Sequence, residues 1–305
     1  MKTEISSTIR EILADTALEI EQDKAHKSVK RLKQLIHDTI PLKSFAAALS
    51  PGRALIGEIK ERSPSQGKMR PENFRDAANV YKKSTSVKAI SVLTSWHHFG
   101  SGMRVEMMEA VKQHTGKPVL RKDFVLEEYQ VYQARAYGAD AILLMANILD
   151  RDEMRRLSDL AFELGMDVLF ETHQEEELED LPETAKIVGI NSRSFEGGST
   201  NFKVARFFRQ WLGAKTDRTV DLSRFDYAKN LPPKVIKVAE SGVSKNNCSQ
   251  VFDLGFQAIL VGTSLLMDPR GIADAVKDFE NVLRGLPSKG THPEVPNAAT
   301  PAEPP

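Results

Sequence analysis

Acidic and basic side chains recur along this chain where short apolar runs stop: Glu58 and Lys60, Lys122 with Asp123, Glu171, Asn191 with Arg193, and Glu240 with Ser241. A charge is costly to take out of water unless it is paired, so lysines and glutamates emerging from apolar segments need a reason. Glu58 and Lys60 are two residues apart, and on a strand both side chains would face the same way. Alone, that pair reads equally well as a salt bridge filling an interior. Lys122 and Glu171 change the balance. Two ammonium and two carboxylate groups meeting in one mouth would push each other's proton affinities apart, which is how general acids and bases arise.

A second, independent pattern sits near the C-terminus. The segments ESGVS (240–244) and VGTSLL (261–266) each place a glycine beside a hydroxyl residue: Ser241 with Gly242, and Gly262 with Thr263 and Ser264. Taken singly, these glycines would pass as turn residues. Paired, they offer backbone N–H groups that an anion can approach and hydroxyls that can donate to it, as in the phosphate-binding loops after the last two strands of many barrels.

Positioning such groups requires a scaffold, and the apolar runs supply one. Eight runs too short for helices recur: ALIGEIK (54–60), KAISVL (88–93), PVLRKD (118–123), ADAILLM (139–145), DVLFET (167–172), KIVGIN (186–191), VIKVAES (235–241) and QAILVG (257–262). Between them lie helix-like stretches such as FRDAANVYKK and DEMRRLSDLAFELG, several ending in glycine. Alternation of this kind implies βαβ crossovers and a parallel sheet, either open or closed. Eight units favour closure, and no GxGxxG follows the first run, so the main signal for an open dinucleotide-binding sheet is missing. The expected fold is α/β, a (β/α)8 TIM barrel over residues 49–286. An amphipathic helical extension (1–48) precedes it, and a Pro/Ala-rich tail (287–305), expected to be disordered, follows. Some 40 residues separate Arg193 from Val235. That is long for one βα unit and is explained by a lid, an extra helix or an oligomer contact.

Composition narrows the partners. In 305 residues, 42 Lys and Arg cancel 42 Asp and Glu, so no broad field attracts nucleic acid or an anionic membrane, and any anion site must be local. The N-terminus lacks the unbroken apolar core of a signal peptide. The only cysteine, Cys248, cannot form an internal disulfide and is expected as an inert residue on a helix. A reducing compartment such as the cytoplasm is the natural setting. No Cys/His spacing suits zinc, and adjacent His97 and His98 would point to different sides, so no metal site is expected. Trp96, Trp211, Phe207 and Phe208 are read as packing groups, since no basic stripe accompanies them.

At this point the motifs resemble those of a known family. GEIKERSPSQG (57–67), AISVLT (89–94), PVLRKDF (118–124), YQARAYGADAILL (132–144), GINSR (189–193), VAESGVS (238–244) and LVGTSLL (260–266) are similar, in order and spacing, to the strand-end motifs of indole-3-glycerol-phosphate synthase. The resemblance spans roughly residues 8–284. It implies ring closure of 1-(2-carboxyphenylamino)-1-deoxyribulose 5-phosphate with loss of carbon dioxide and water, without a cofactor. It also implies roles. Lys122 would be the general acid, with Glu171 and Lys60 assisting decarboxylation, proton removal and dehydration, and Glu58 and Asn191 orienting the carbonyl and hydroxyl groups. Arg193, with Lys60 and Ser63, would hold anionic parts of the substrate, Ser241, Gly242, Gly262 and Thr263 the phosphate, and Phe124 and Leu143 the aromatic ring. A small sugar-phosphate is then the expected partner of a monomer or weak homo-oligomer.

The chain departs from the family pattern in the loop TSWHHFGSG, where Ser95 follows Thr94 in place of an acidic residue, at Thr263 in place of serine, and after GINSR, where Ser194 and Phe195 begin the long segment. Two other readings compete: a phosphate-binding barrel that has lost catalysis, and a Schiff-base aldolase working through Lys122 or Lys60. The related isomerase pattern, with a cysteine at the first strand end, does not fit a chain whose only cysteine is at 248.

Overall fold

Each of the eight apolar runs forms a strand: β1 Ala54–Ile59, β2 Val87–Leu93, β3 Val119–Lys122, β4 Ala141–Met145, β5 Asp167–Thr172, β6 Ile187–Asn191, β7 Ile236–Glu240 and β8 Ala258–Val261. The computed structural model describes residues 7–60, 62–63, 67–68, 73–95, 105–193 and 221–285. The strands pair in parallel in chain order, and β8 returns to β1, closing the barrel. Closure removes both sheet edges, which an open sheet would leave to be covered. It also buries the strands on two faces, so β1, β4, β6 and β8 are buried at every position and read as continuous apolar runs.

Along each strand, alternate side chains enter the lumen. Register then sets which of them share a level: Leu93 lies opposite Lys122, Met145 opposite Glu171, and Asn191 opposite Glu240. Lower down, the lumen and the space behind the strands are filled by one apolar core that includes Ile56, Leu120, Leu169, Val238 and Ile259.

Helices α1 Ser7–His26, α2 Val29–Asp38 and α3 Phe45–Leu49 precede the barrel. Helices α4 Asn73–Lys83, α5 Met107–Thr115, α6 Glu128–Ala136, α7 Arg151–Glu163, α8 Cys248–Asp253, α9 Thr263–Leu266 and α10 Ile272–Gly285 follow individual strands. Their ends obey local chemistry. Asp150 and Glu153 form a reciprocal capping box at the start of α7 (2.9 and 3.0 Å). Gly116 ends α5 at φ 69°, a left-handed conformation that favours a residue without Cβ. Cys248 is buried at the head of α8, as expected for an inert helical residue.

After β5 and before β7, among the described residues, the connections are 3-10 segments, Glu175–Asp180 and Leu222–Asn230. The acidic run at 174–180 stays largely exposed, with Glu175, Glu176 and Glu179 facing water. Of the long 194–234 segment, 194–220 lies outside the described residues. So do the expected Pro-rich tail, Trp96, His97, His98, Trp211 and the Phe207–Phe208 pair. Among the described residues, no helix is long and apolar enough to cross a membrane.

The N-terminal extension is fastened to the barrel. Ile20 and Leu32 pack on Tyr129 and Ala136 of α6, and the Gln133 side chain donates to Asp23 (2.7 Å). Below the barrel, Asp140, just ahead of β4, accepts from the Lys43 N–H (2.6 Å), the Val119 N–H (2.8 Å) and the Lys112 ammonium (2.7 Å). At the start of β5, Asp167 accepts from the Ala46 N–H (2.9 Å). Carboxylates at the lower strand ends therefore bind the backbone of the segment that joins the extension to the barrel.

Candidate active site

At the upper rim the charged strand ends converge. Lys122, the last residue of β3, places Nζ 2.9 Å from Glu171 Oε2 and 2.8 Å from Glu240 Oε2. Glu171 Oε1 accepts from Asn191 Nδ2 (3.1 Å), and Asn191 Oδ1 accepts from the Arg193 backbone N–H (3.0 Å). Glu58 and Lys60 form an ion pair on the opposite side of the mouth, both buried. The glycines make room for these groups. A Cβ at Gly262 would collide with Glu58 Oε1 and lie 2.9 Å from Lys60 Nζ, and one at Gly189 would collide with Glu240 Oε1.

Burial and proximity set the proton affinities. Burial disfavours the Lys122 ammonium, but Glu171, Glu240 and Glu58 together outweigh it and hold the proton more tightly than usual. Burial likewise opposes ionisation of Glu171, and Lys122 overcomes it, leaving this carboxylate below the ordinary range. Glu58 is also held low, where burial is outweighed by Lys60 and then Lys122. Glu240 goes the other way: burial and the negative charge of Glu171 outweigh Lys122, and its affinity rises. Two neighbouring carboxyl groups whose proton affinities are pushed in opposite directions, on either side of one ammonium, are suited to acid–base work.

Apolar walls face these charges. Leu93, Phe124, Leu143, Met145, Leu260 and Val261 line the same cavity, which holds about 940 Å³ of space continuous with solvent. Phe124 is aimed by its neighbour: Asp123 Oδ1 accepts from the Phe124 N–H (2.9 Å), while Oδ2 accepts from Thr94 (2.6 Å) and Arg121 (2.9 Å). Thr94 and Asp123, two of the polar strand ends, thus bond to each other and hold the rim together. Ser95, at the first departure from the family pattern, is buried.

The two glycine loops adjoin these charged groups, one following Glu240 directly and the other placing Gly262 against Glu58 and Lys60. Ser241 and Gly242 have φ of 64° and 66°, an arrangement that costs a non-glycine residue about 1–2 kcal/mol. The Ser192 hydroxyl donates to the Ser241 carbonyl (3.0 Å) and Asn247 Nδ2 to the Gly242 carbonyl (2.9 Å), securing the turn. The Ser264 hydroxyl donates to the Val243 carbonyl (3.1 Å), tying the two loops together.

Of the residues singled out in the sequence, Glu58, Lys60, Lys122, Phe124, Leu143, Glu171, Asn191, Arg193, Ser241, Gly242, Gly262 and Thr263 all line this one cavity. The Ser63 backbone pairs with Gly67 in a short antiparallel ladder, and its side chain lies outside the described residues. Glu240 and Met145 are among the lining residues to which the motifs assigned no role. The signal for Glu240 was its parity: it is the last lumen-facing residue of β7, as Glu171 nearly is of β5. Among the described residues, no three His, Cys, Asp or Glu side chains are grouped to hold a metal ion.

With this geometry in place, comparison with known proteins becomes informative. A family description, "Indole-3-glycerol phosphate synthase", matches residues 9–279. Among curated relatives, the protein of that name from Caldanaerobacter subterraneus subsp. tengcongensis is 36% identical over 271 residues, 87% of this chain and 95% of the relative. Its counterpart from Dehalococcoides mccartyi is 35% identical over 84% of this chain and 94% of its own length. Solved structures share the barrel at much lower identity. 3-Hexulose-6-phosphate synthase from Salmonella typhimurium superposes with TM-score 0.53 at 17% identity, over 76% of this chain and 98% of that one. Orotidine 5'-phosphate decarboxylase from Pyrococcus horikoshii does so with TM-score 0.52 at 12% identity, over 76% and 100%. Those two show the fold alone. The match over most of the chain shows that the chain belongs to the indole-3-glycerol phosphate synthase family.

Proposed function

We propose that this cavity closes the indole ring of 1-(2-carboxyphenylamino)-1-deoxyribulose 5-phosphate, releasing carbon dioxide and water and leaving indole-3-glycerol phosphate. One observation carries the assignment of roles: a half-buried ammonium, Lys122, stands between Glu171 and Glu240 in the cavity that two glycine loops also line. The difficult step is attack of an aromatic carbon on the ketone, because negative charge grows on the carbonyl oxygen. Lys122 supplies a proton there.

The aromatic carbon that attacks is the one bearing the carboxylate, so its ring regains aromaticity when carbon dioxide departs. The former carbonyl oxygen then leaves as water after a further protonation, and a proton comes off the adjacent carbon to form the new double bond. Glu171, held ionised, is the base for that carbon, and Lys60 assists the departing groups. Glu58 and Asn191 orient the substrate's oxygens. Arg193, with Lys60 and Ser63, is assigned to the anionic parts of the substrate, and Phe124 and Leu143 to its ring. Ser241, Gly242, Gly262 and Thr263 grip the phosphate. Holding both ends of a flexible substrate brings the reacting carbons together.

A Schiff-base mechanism through Lys122 is disfavoured by the same electrostatics, because the nucleophile would have to be a free amine and the surrounding carboxylates stabilise the ammonium. Residues 49–286 serve as the catalytic unit, with 1–48 as its extension, in a cytoplasmic monomer or weak homo-oligomer. The experiment is direct: incubate the folded protein with the carboxyphenylamino-deoxyribulose phosphate and follow indole fluorescence. Turnover is expected, and a flat trace from folded protein would favour a barrel that only binds phosphate.

A further inference from the structure

Two residues beyond Glu171 lies a buried histidine that the reaction as derived does not use. His173 Nε2 is 3.3 Å from Glu171 Oε1. Its backbone is clamped from two directions: the N–H donates to Glu177 Oε2 (2.7 Å), and the carbonyl accepts from Arg224 Nη1 (3.0 Å). Between them, the Thr172 hydroxyl bonds to the Gly189 carbonyl and to the Tyr227 hydroxyl, each at 3.1 Å. Glu177 belongs to one 3-10 segment, and Arg224 and Tyr227 to the other. Both irregular connections therefore grip the end of the strand that carries Glu171.

Burial, outweighing the pull of Glu171, keeps the imidazole neutral, with its proton affinity pushed down to about 4. A carboxylate oxygen has only lone pairs to offer, so this 3.3 Å contact, short of a hydrogen bond in geometry, is attractive when Nε2 carries the hydrogen. The two oxygens of Glu171 then differ. Oε1 faces Asn191 Nδ2 at 3.1 Å and His173 Nε2 at 3.3 Å, while Oε2 faces Lys122 at 2.9 Å.

The geometry points to His173 as a positioning residue that, with Asn191, holds Glu171 by Oε1 and leaves Oε2 as the oxygen that exchanges protons in the cavity. This rests on the assignment of Glu171 to the reaction. The long segment before β7 gains a purpose through it, since its final part supplies Arg224 to the His173 carbonyl and Tyr227 to the Thr172 hydroxyl, bracing the strand end beyond the base.

The test compares three variants of the full chain in steady-state turnover. His173→Leu keeps a similar volume but has no donor, and kcat is expected to fall about 10- to 100-fold, as when outer partners of working groups are lost at metal sites. KM should stay within about twofold, because the substrate's own contacts are intact. His173→Gln restores an N–H of similar reach and should recover kcat to within a few-fold of the parent. Unchanged kcat in His173→Leu, equal losses in the Leu and Gln variants, or a KM that rises in step with the fall in kcat would each overturn the inference. If the Leu variant does not fold, His173→Met serves as the donor-free partner of His173→Gln under the same criteria. Glu171→Gln separates the two levels. Full activity there removes Glu171 from the mechanism, whereas an inactive Glu171→Gln beside a normal His173→Leu removes only His173.

Discussion

Each end of this barrel buries a lysine against carboxylate, and the surroundings of the two lysines differ. At the lower end, Lys112 meets a single carboxylate, Asp140, whose oxygens also accept from the N–H groups of Lys43 and Val119. Every bond there joins one part of the scaffold to another. At the upper end, Lys122 meets two carboxylates at nearly equal distance, and those two are close enough to disturb each other. The proton affinities show the contrast. Lys112 is lowered, because burial outweighs its one partner, whereas Lys122 is raised, because three glutamates outweigh burial. A lone buried pair seals a junction. An ammonium between unequal carboxyls, open to a cavity, moves protons.

The largest effect expected from this contrast comes from removing the upper cation. Lys122→Ala should lower turnover roughly 10²–10⁴-fold, the contribution of a positioned general acid, with circular dichroism showing the fold kept. Near-normal turnover would erase the distinction between the two ends. The lower pair should respond in the opposite currency: Asp140→Ala leaves the Lys112 ammonium buried without its counter-charge, a loss of about 3–5 kcal/mol of stability. Denaturant titration reads that loss, and kcat of the folded fraction should be unchanged. A catalytic defect without a stability defect would show that the lower end is not merely structural.

The smallest effect concerns pH. Glu240 binds its proton more tightly in the fold than in the unfolded chain, so its contribution to stability is complete below the ordinary glutamate value of 4.5 and is lost as pH rises through the raised folded value. Glu240→Gln cannot ionise. It should therefore be less active than the parent but relatively more stable at alkaline pH, with a flatter stability profile above 4.5. Parallel profiles for parent and variant would mean that Glu240 titrates normally and that the two upper carboxyls are equivalent.

Much of this was legible in the residues. The run DVLFET became β5 without adjustment, and the other seven runs matched their strands to within a residue or two at each end. That works because a strand buried on both faces must be apolar throughout, and the last polar residue marks the rim. The same parity brought Glu58, Lys122 and Glu171 to one level. What failed was local in a different way. Nothing in QEEELED or in LSRFDYAKN signals a 3-10 turn over an α-helix, since the choice depends on how far each connection must reach and what it docks on. Asp123 and Thr94 looked as chemical as Lys122 until their bonds to each other and to Arg121 were visible.

Side-chain alternation is a property of neighbouring residues, and so strand positions, inward-facing charges and glycine corners follow from order along the chain alone. Pairing is a property of distance. Lys122 and Glu240 are separated by 118 positions and come within 2.8 Å only because the sheet closes on itself. Coulomb energy falls with separation and grows with burial, so which of Glu171 and Glu240 binds its proton more tightly depended on the closed barrel rather than on the order of residues.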